Sequence, residues 1–530
     1  MSLQYADDTI LFSRIEEEYT RNLKSILIWF EQLSGMRINF HKSELIPMNV
    51  EPEVVHNLAH LFSCPVGSLP IKYLGVPLHY EKLSREDIQP LVDKMLKKMA
   101  GWRGRLLSYA GKLVLIKSCL ASIPVYLLSF IKFPKWAIRV IHSHLGNCLW
   151  DDSPTSRKFH LANWESVSMM KEYGGLGVPN LRDLNLCLLA SWVKRHNLDG
   201  DKMWRQFLDF KYNTDRPNIF YSSSSGASEF FKGLMRAAAV AKMGYRWHIG
   251  NGKKCKFWED NWLGTSSLAI QYWEIYVLIN EKDATVASLW DGVDLKCTFR
   301  RCVDGRLYNL WLEVVQLAST ISFTEEEDSL IWQFNSHGVY SSQSLYKVIN
   351  FRGISPVFVP AVWALKVPPR VHFFLWLLSK NKVLTRDNLS IRKKIKDPTC
   401  LFCSEVETVN HLFFNCVVAK QLWSTLSEVL NRQVGTDFVS VGTMWVSNRK
   451  FIVENVFCAA ALWGLWKLRN SLCFQGALWV DVRVLFMKVK AMLQNWSALC
   501  PKEKVPEFLD HMNKLGSFAS SPHRLPGLVG

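Results

Sequence analysis

An α+β, multidomain fold is predicted for this 530-residue chain, and three observations predict it. Residues 2–13 read as a β-hairpin and lead into an amphipathic helix. From about residue 82 onward the apolar spacing is mainly helical, interrupted by aromatic strand signals. Near residue 400, four soft metal ligands fall within 17 residues, which points to a small helix-rich module closed around an ion. The length allows several domains and a large apolar core.

Composition narrows the classes. Hydrophobic residues make up 48% and charged residues 21%, a globular balance and not a disordered one. Lys plus Arg number 64 against 47 Asp plus Glu, a net charge of +17. A polyanionic partner is the natural expectation, and RNA or DNA is the commonest. Met1 to Phe12 has no basic n-region and carries two Asp, so it is not a secretory signal. The longest apolar run, Val456 to Trp466, is too short to span a bilayer, so no membrane partner is expected. Thirteen scattered cysteines suit a reducing compartment, nuclear or cytoplasmic. Cys119 and Cys187 are expected as small buried apolar residues.

The elements follow in order. Ser2 to Ser13 is a hairpin with Ala6-Asp7 near its turn. Glu16 to Ser34 is a helix: Leu23, Ile26, Leu27, Phe30 and Leu33 share a face, acids crowd its first turn, and Gly35 closes it. Ile38 to Phe40 and Ile71 to Leu74 are short strands. Residues 82–117 are helical and basic, with Lys97, Lys98, Arg103, Arg105 and Lys112 as candidate phosphate contacts. Gly174-Gly175-Leu176-Gly177 is a loop without phosphate-cradle spacing. Tyr245 to Ile249, Gly250-Asn251-Gly252 and Lys256-Phe257-Trp258 read as a local β-hairpin. Arg352 to Pro356 is a loop or linker. Val371 to Leu378 is an apolar helix, and Thr385 caps a helix from Arg386 to Lys394. Ala419, Leu422, Trp423, Leu426 and Leu430 give a buried helical stripe. The tail from Gly516 is expected to be disordered.

Cys400, Cys403, His411 and Cys416 have the spacing C-x2-C-x7-H-x4-C. A CxxC turn presents two thiolates to one metal, and a His and a third Cys complete a tetrahedron. Four protein ligands leave no open position, so the expected Zn²⁺ is structural. Residues 366–396 lead into this set with nine Lys or Arg against one acid, including Arg392, Lys393, Lys394 and Lys396. Together these stretches read as a metal-stapled module that contacts nucleic acid, or as a zinc-stabilised protein-contact domain.

The order of motifs resembles the plant branch of LINE-type (non-LTR) retrotransposon reverse transcriptases. Tyr5-Ala6-Asp7-Asp8-Thr9 resembles the catalytic turn, Ser34-Gly35-Met36-Arg37-Ile38-Asn39 the segment after it, and Tyr73-Leu74-Gly75-Val76-Pro77-Leu78 the primer-gripping hairpin. Trp102, Ala110-Gly111-Lys112 and Ile123-Pro124 resemble the thumb-like stretch. Phe257-Trp258-x-Asp260-x-Trp262 fits the connector. Tyr340 to Trp423, with Trp363, Pro368, Trp376, Glu407 and His411-Leu412-Phe413, resembles the reverse-transcriptase zinc-binding domain. Trp463, Trp466 and Arg469-Asn470 fit the tail beyond it.

The resemblance implies a partial palm (1–80), a thumb-like helical segment (81–150), a Trp-rich connector (151–335), the zinc-binding domain (336–430), a helical C-terminal region (431–515) and the tail (516–530). It implies that Asp7 and Asp8 are vestigial catalytic ligands for Mg²⁺, with Lys42 near the incoming nucleotide. Paired metals in such sites sit about 3.5–4 Å apart and need a further carboxylate. With fingers and upstream palm strands absent from the sequence, Mg²⁺ is expected only if a complete polymerase site is assembled. The expected function is that of a truncated, inactive reverse-transcriptase-like protein with a nucleic-acid-binding zinc module. The alternatives are a non-catalytic zinc and nucleic-acid-binding protein, or a decayed-element fragment without selected function.

Overall fold

A computed structural model describes residues 2–78, 84–100, 107–151, 159–198, 202–213, 218–222, 225–351, 353, 356–392 and 397–520. The chain divides into two compact units, Met1–Asp87 and Ile88–Gly530. Helices dominate, and each of the three sheets found among the described residues is an antiparallel pair. None of the described helices is long and apolar enough to cross a membrane.

In the first unit, β1 (Ser2–Tyr5) and β2 (Asp8–Leu11) pair with Tyr5 opposite Asp8, and Ala6 takes a positive φ at the turn. Helix α1 (Glu17–Ser34) begins with Glu17 and Glu18, which favour the N-terminal end of the helix dipole, and ends at Gly35. Its apolar side is open: Ile26, Phe30 and Leu33 are 57%, 46% and 89% exposed. Helix α2 (Pro52–Phe62) follows, and then β3 (Ile71–Tyr73) and β4 (Val76–Leu78) form a tight hairpin across Leu74-Gly75. Residues 38–40 are not a strand. They form an irregular turn, with backbone bonds that run locally from Phe40 to Ile38 and from Lys42 to Asn39. Helix α3 (Arg85–Ala100) spans the boundary between the units.

The second unit is built on helices. Ser108 caps α4 (Tyr109–Leu115), which continues as a π-helical turn over Ile116–Leu120. Helices α5 (Lys135–Trp150), α6 (Leu181–Leu198) and α7 (Glu229–Ala241) follow. Cys187 on α6 is buried as expected, whereas Cys119 is only partly so. Gly174–Gly177 is the predicted loop. A Cβ at Gly175 would lie 2.0 Å from the carbonyl oxygen of Met169, so only glycine allows that approach.

The predicted hairpin at 245–258 does not form. β5 (Tyr245–His248) instead pairs with β6 (Ser329–Trp332), with Tyr245 opposite Trp332. The Gly250-Asn251-Gly252 turn is gathered by a distant carboxylate. Asp328 Oδ1 accepts the N–H groups of Gly250 and Gly252, both at 2.8 Å, and Oδ2 accepts those of Lys254 and Cys255 at 2.8 and 3.1 Å. The residues of Phe257-Trp258-x-Asp260-x-Trp262 that the motif specifies are interior. Asp260 pairs with Lys242 at 2.9 Å and accepts the Tyr221 hydroxyl at 2.8 Å, so the motif is core architecture.

Helix α8 (Gly305–Ala318) precedes β6, and α9 (Ser342–Ile349) follows it. The C-terminal half places α10 (Pro369–Ser379), α11 (Arg386–Ser390), α12 (Val417–Val429), α13 (Phe438–Val446), α14 (Ile452–Phe474), α15 (Val482–Trp496) and α16 (Val505–Ser520). Helix α14 is apolar on most sides because α10, α12, α13 and α15 all pack on it. Helix α16 carries Gly516 and Ala519 into the core, so helix replaces the predicted tail as far as Ser520; residues 521–530 lie outside the described residues. Arg352, Ile354 and Ser355 of the predicted linker also lie outside them.

Candidate metal centre

Backbone pairing shapes the first two ligands. Thr399 and Val406 form an antiparallel bridge, Cys400 N–H donates to Glu405 O at 2.7 Å, and Glu407 N–H donates to Pro398 O at 2.9 Å. This closes residues 400–405 into a tight knuckle. The Phe402 amide faces the Cys400 sulfur and the Glu405 amide faces that of Cys403. The other two ligands come from a second turn. His411 opens a π-helical turn (His411–Asn415), and Cys416 N–H donates back to His411 O at 2.7 Å. Cys416 is the N-cap of α12, so the amides of Val418 and Ala419 point toward its sulfur, an arrangement that favours thiolate.

The four ligand atoms lie within 4.8 Å of one another. Cys400 Sγ and Cys416 Sγ are 3.8 Å apart, and Cys403 Sγ lies 3.1 Å from His411 Nε2. Tetrahedral zinc with Zn–S near 2.3 Å requires S···S of about 3.8 Å and S···N of about 3.6 Å. The sulfur pair meets this, and the mixed pair is a few tenths of an ångström tighter. Contact with Cys400 and the helix amides pull the Cys416 thiol down, while the same contact and burial push Cys400 up. Burial also raises Cys403 and lowers His411. The neutral imidazole and the lowered Cys416 thiol suit a metal ligand set, whereas Cys400 and Cys403 would lose their protons only on binding an ion.

A buried ion pair braces the knuckle. Glu407 and Arg469, from α14, are 0% and 2% exposed. Glu407 also accepts the Arg386 amide at 2.9 Å, so its carboxylate caps α11 and is not a metal ligand. The Thr385 hydroxyl, expected to cap that helix, bonds the Asp387 carboxylate instead. Phe402 meets Trp479 edge to face at 5.0 Å, and the Trp423 indole donates to Phe413 O at 2.7 Å. The sequence contained both Glu407 and Arg469 as motif residues but no signal that paired them.

The remaining candidate residues separate. Asp7 and Asp8 are exposed at the β1–β2 turn, and no metal-ligating cluster among the described residues includes them. Lys42 is exposed in the turn after residue 40. Lys97 and Lys98 are exposed on the last turn of α3. Lys112 is not a surface contact. It is 2% exposed, and its Nζ donates to Asp151 O at 2.7 Å. Arg392 is half-buried, with Nη1 3.3 Å from His160 O. Arg103, Arg105, Lys393, Lys394 and Lys396 lie outside the described residues.

The block that carries the Cys₃His set is also bolted to its neighbours. The Tyr340 hydroxyl donates to Cys187 O on α6 at 2.6 Å, Tyr109 of α4 stacks on Phe373 of α10 at 5.3 Å, and the Trp376 indole donates to Gly174 O at 2.9 Å.

Residues 340–423 match the family of zinc-binding domains in reverse transcriptases. These residues are therefore a reverse-transcriptase zinc-binding domain. A protein from Arabidopsis thaliana, provisionally named a ribonuclease H protein, is 26% identical over 361 residues. That match covers 66% of this chain, and the chain spans 57% of the relative's length.

Proposed function

We propose that the chain is the nucleic-acid-holding portion of a LINE-type retrotransposon reverse transcriptase, stabilised by structural zinc. The observation that carries this reading is the closed Cys400–Cys403–His411–Cys416 set inside a reverse-transcriptase zinc-binding domain. Four protein ligands would hold Zn²⁺ without an open position, so the ion would fix the knuckle and supply no Lewis-acid chemistry. The net charge of +17 supports a phosphate-rich partner, RNA or DNA, with Lys97 and Lys98 offering exposed amines.

The test is anisotropy of labelled single-stranded RNA and DNA across a salt series. Salt-dependent binding that weakens in K97E/K98E, and again in K393E/K394E, is the expected result. Affinity indifferent to salt and to both variants would sink the proposal.

Asp7 and Asp8 stand apart from any third carboxylate among the described residues. We therefore assign this chain no nucleotidyl transfer of its own. Primer extension with Mg²⁺ or Mn²⁺ should give no product; extension abolished by Asp8→Asn would reverse that assignment.

A further inference from the structure

A cavity of about 250 Å³ lies in the connector, at the C-terminal end of α6. Its apolar lining includes Trp247 from β5, Leu330 from β6 and Phe220. Its polar lining includes His196 and Asn197 from α6, and Arg205 and Asp209 from the helical stretch Met203–Leu208 and the π-helical turn that continues it.

The polar groups are held in place but only partly used. His196 Nε2 lies 2.7 Å from Asp209 Oδ1, and Arg205 Nε reaches Asp209 Oδ2 at 3.3 Å. A carboxylate only accepts, so the His196 proton sits on Nε2 and Nδ1 is left as an acceptor. Burial lowers the His196 pKa against the pull of Asp209, which keeps the ring neutral. Among the described residues, His196 Nδ1, the Asn197 side-chain amide, the terminal nitrogens of Arg205 and the Trp247 indole N–H have no hydrogen-bond partner. Charge around the cavity is positive on balance. Lys254 also lines it, and the amine pairs with Glu327, whose side chain is 70% exposed.

These are the parts of a ligand site: an aromatic surface with a few unspent polar groups that converge on one space. Their mixture selects the ligand. A nucleobase offers a flat face and an edge of donors and acceptors, and its phosphate is anionic. Trp247 and Phe220 suit the face, His196 Nδ1 and Asn197 suit the edge, and Arg205 suits the phosphate. We infer that this cavity takes a single nucleotide. Sites for drug-sized ligands run from about 300 to 1,000 Å³, so the space is sized for one base and not for two. The nucleotide could be free or one unit of a single strand. Only the strand source rests on the proposed function.

The experiment uses the full, zinc-loaded chain and the variants R205M and N197L, at positions that are not fully buried. Equimolar zinc and wild-type amide exchange in α14 show that each variant is folded. Calorimetry with AMP, GMP, CMP and UMP gives affinity, and amide exchange by mass spectrometry gives location. At least one nucleotide should protect residues 196–213 and 245–254 of the wild type. R205M should weaken it about tenfold, the share of one charged hydrogen bond. N197L should change the ranking of the four bases. Inorganic phosphate should bind more weakly than the nucleotide. Protection of the same residues by a short single strand would assign the site to a strand; protection by the mononucleotide alone would assign it to free nucleotide. No protection by any nucleotide, or affinity unchanged in both variants, overturns the inference. A wild type that binds no single strand yet protects these residues with a mononucleotide would overturn only the proposed function.

Discussion

Arg469 donates from Nη2 to Glu407 Oε1 at 2.7 Å and from Nε to both carboxylate oxygens at 3.1 and 3.2 Å, with both side chains sealed from solvent. The pair connects the metal knuckle to the helix at the centre of the C-terminal core. Burying two charges costs desolvation that the pair only roughly offsets, but removing one partner strands the other. Arg469→Met is expected to destabilise the chain by about 3–5 kcal/mol. E407L/R469M should recover a large part of this, because no lone charge remains buried. Urea unfolding of the three proteins checks it. A double variant as unstable as R469M would mean that the pair does more than neutralise itself, such as orienting the knuckle through the Arg386 amide.

Zinc removal should have a local effect. A free zinc finger unfolds without metal because it has no other core. Here Leu412, Phe413 and Phe414 are buried, and Phe374, Phe413 and Trp466 pack together. Chelation, or Cys403→Ser, is expected to raise amide exchange across residues 398–416 while α14 stays protected. Exchange measured by mass spectrometry resolves this. Loss of protection throughout α12 and α14 would show that the ion, and not the aromatic core, carries the domain.

Acid sensitivity has an identifiable source. Burial lowers the His142 pKa from 6.5 to about 4, and its Nε2 accepts the Leu181 amide at 3.2 Å. The folded chain thus resists protonation that the unfolded chain accepts below pH 6.5. More protons bind to the unfolded state in that window, so stability is full above pH 6.5 and falls as pH drops toward 4. The loss is on the order of 3 kcal/mol at most. His142→Gln keeps an acceptor for Leu181 and removes the titration. Its stability should vary less than the wild type's between pH 6.5 and 4, as read by urea midpoints. His196 and His372 are also lowered by burial, so the difference between the two proteins isolates His142. Parallel curves would exclude His142 as the source.

What was legible in the sequence was local. The Cys₃His spacing and the block from Tyr340 to Trp423 coincide with the zinc-binding domain. The helix from Glu16 to Ser34 was visible because its period and its Gly35 stop are encoded within one stretch. What was not legible depends on partners far along the chain. Glu407 and Arg469 are 62 residues apart, and nothing in either segment announces the other. Lys112 reads as one more surface cation, yet its amine turns inward to the Asp151 carbonyl. The Gly250-Asn251-Gly252 turn carries a real hairpin signature, but tertiary pairing with β6 overrides it.

That override makes Asp328 the most exacting position in the connector. One carboxylate, 2% exposed, accepts four backbone amides at 2.8–3.1 Å. Hydrogen bonds to a charged acceptor contribute about 1.5–3 kcal/mol each, and they are not additive. Asp328→Asn preserves shape but turns one oxygen into an NH₂ that confronts two N–H donors. It is expected to cost at least about 3 kcal/mol, nearly as much as Asp328→Ala. Glu at 328 should not rescue either, because the longer side chain moves the carboxylate off the amides. The check is thermal unfolding of the three variants alongside amide exchange at residues 250–255. A mild Asn variant with those amides still protected would show that the loop is held by its own turn, and that the carboxylate is incidental.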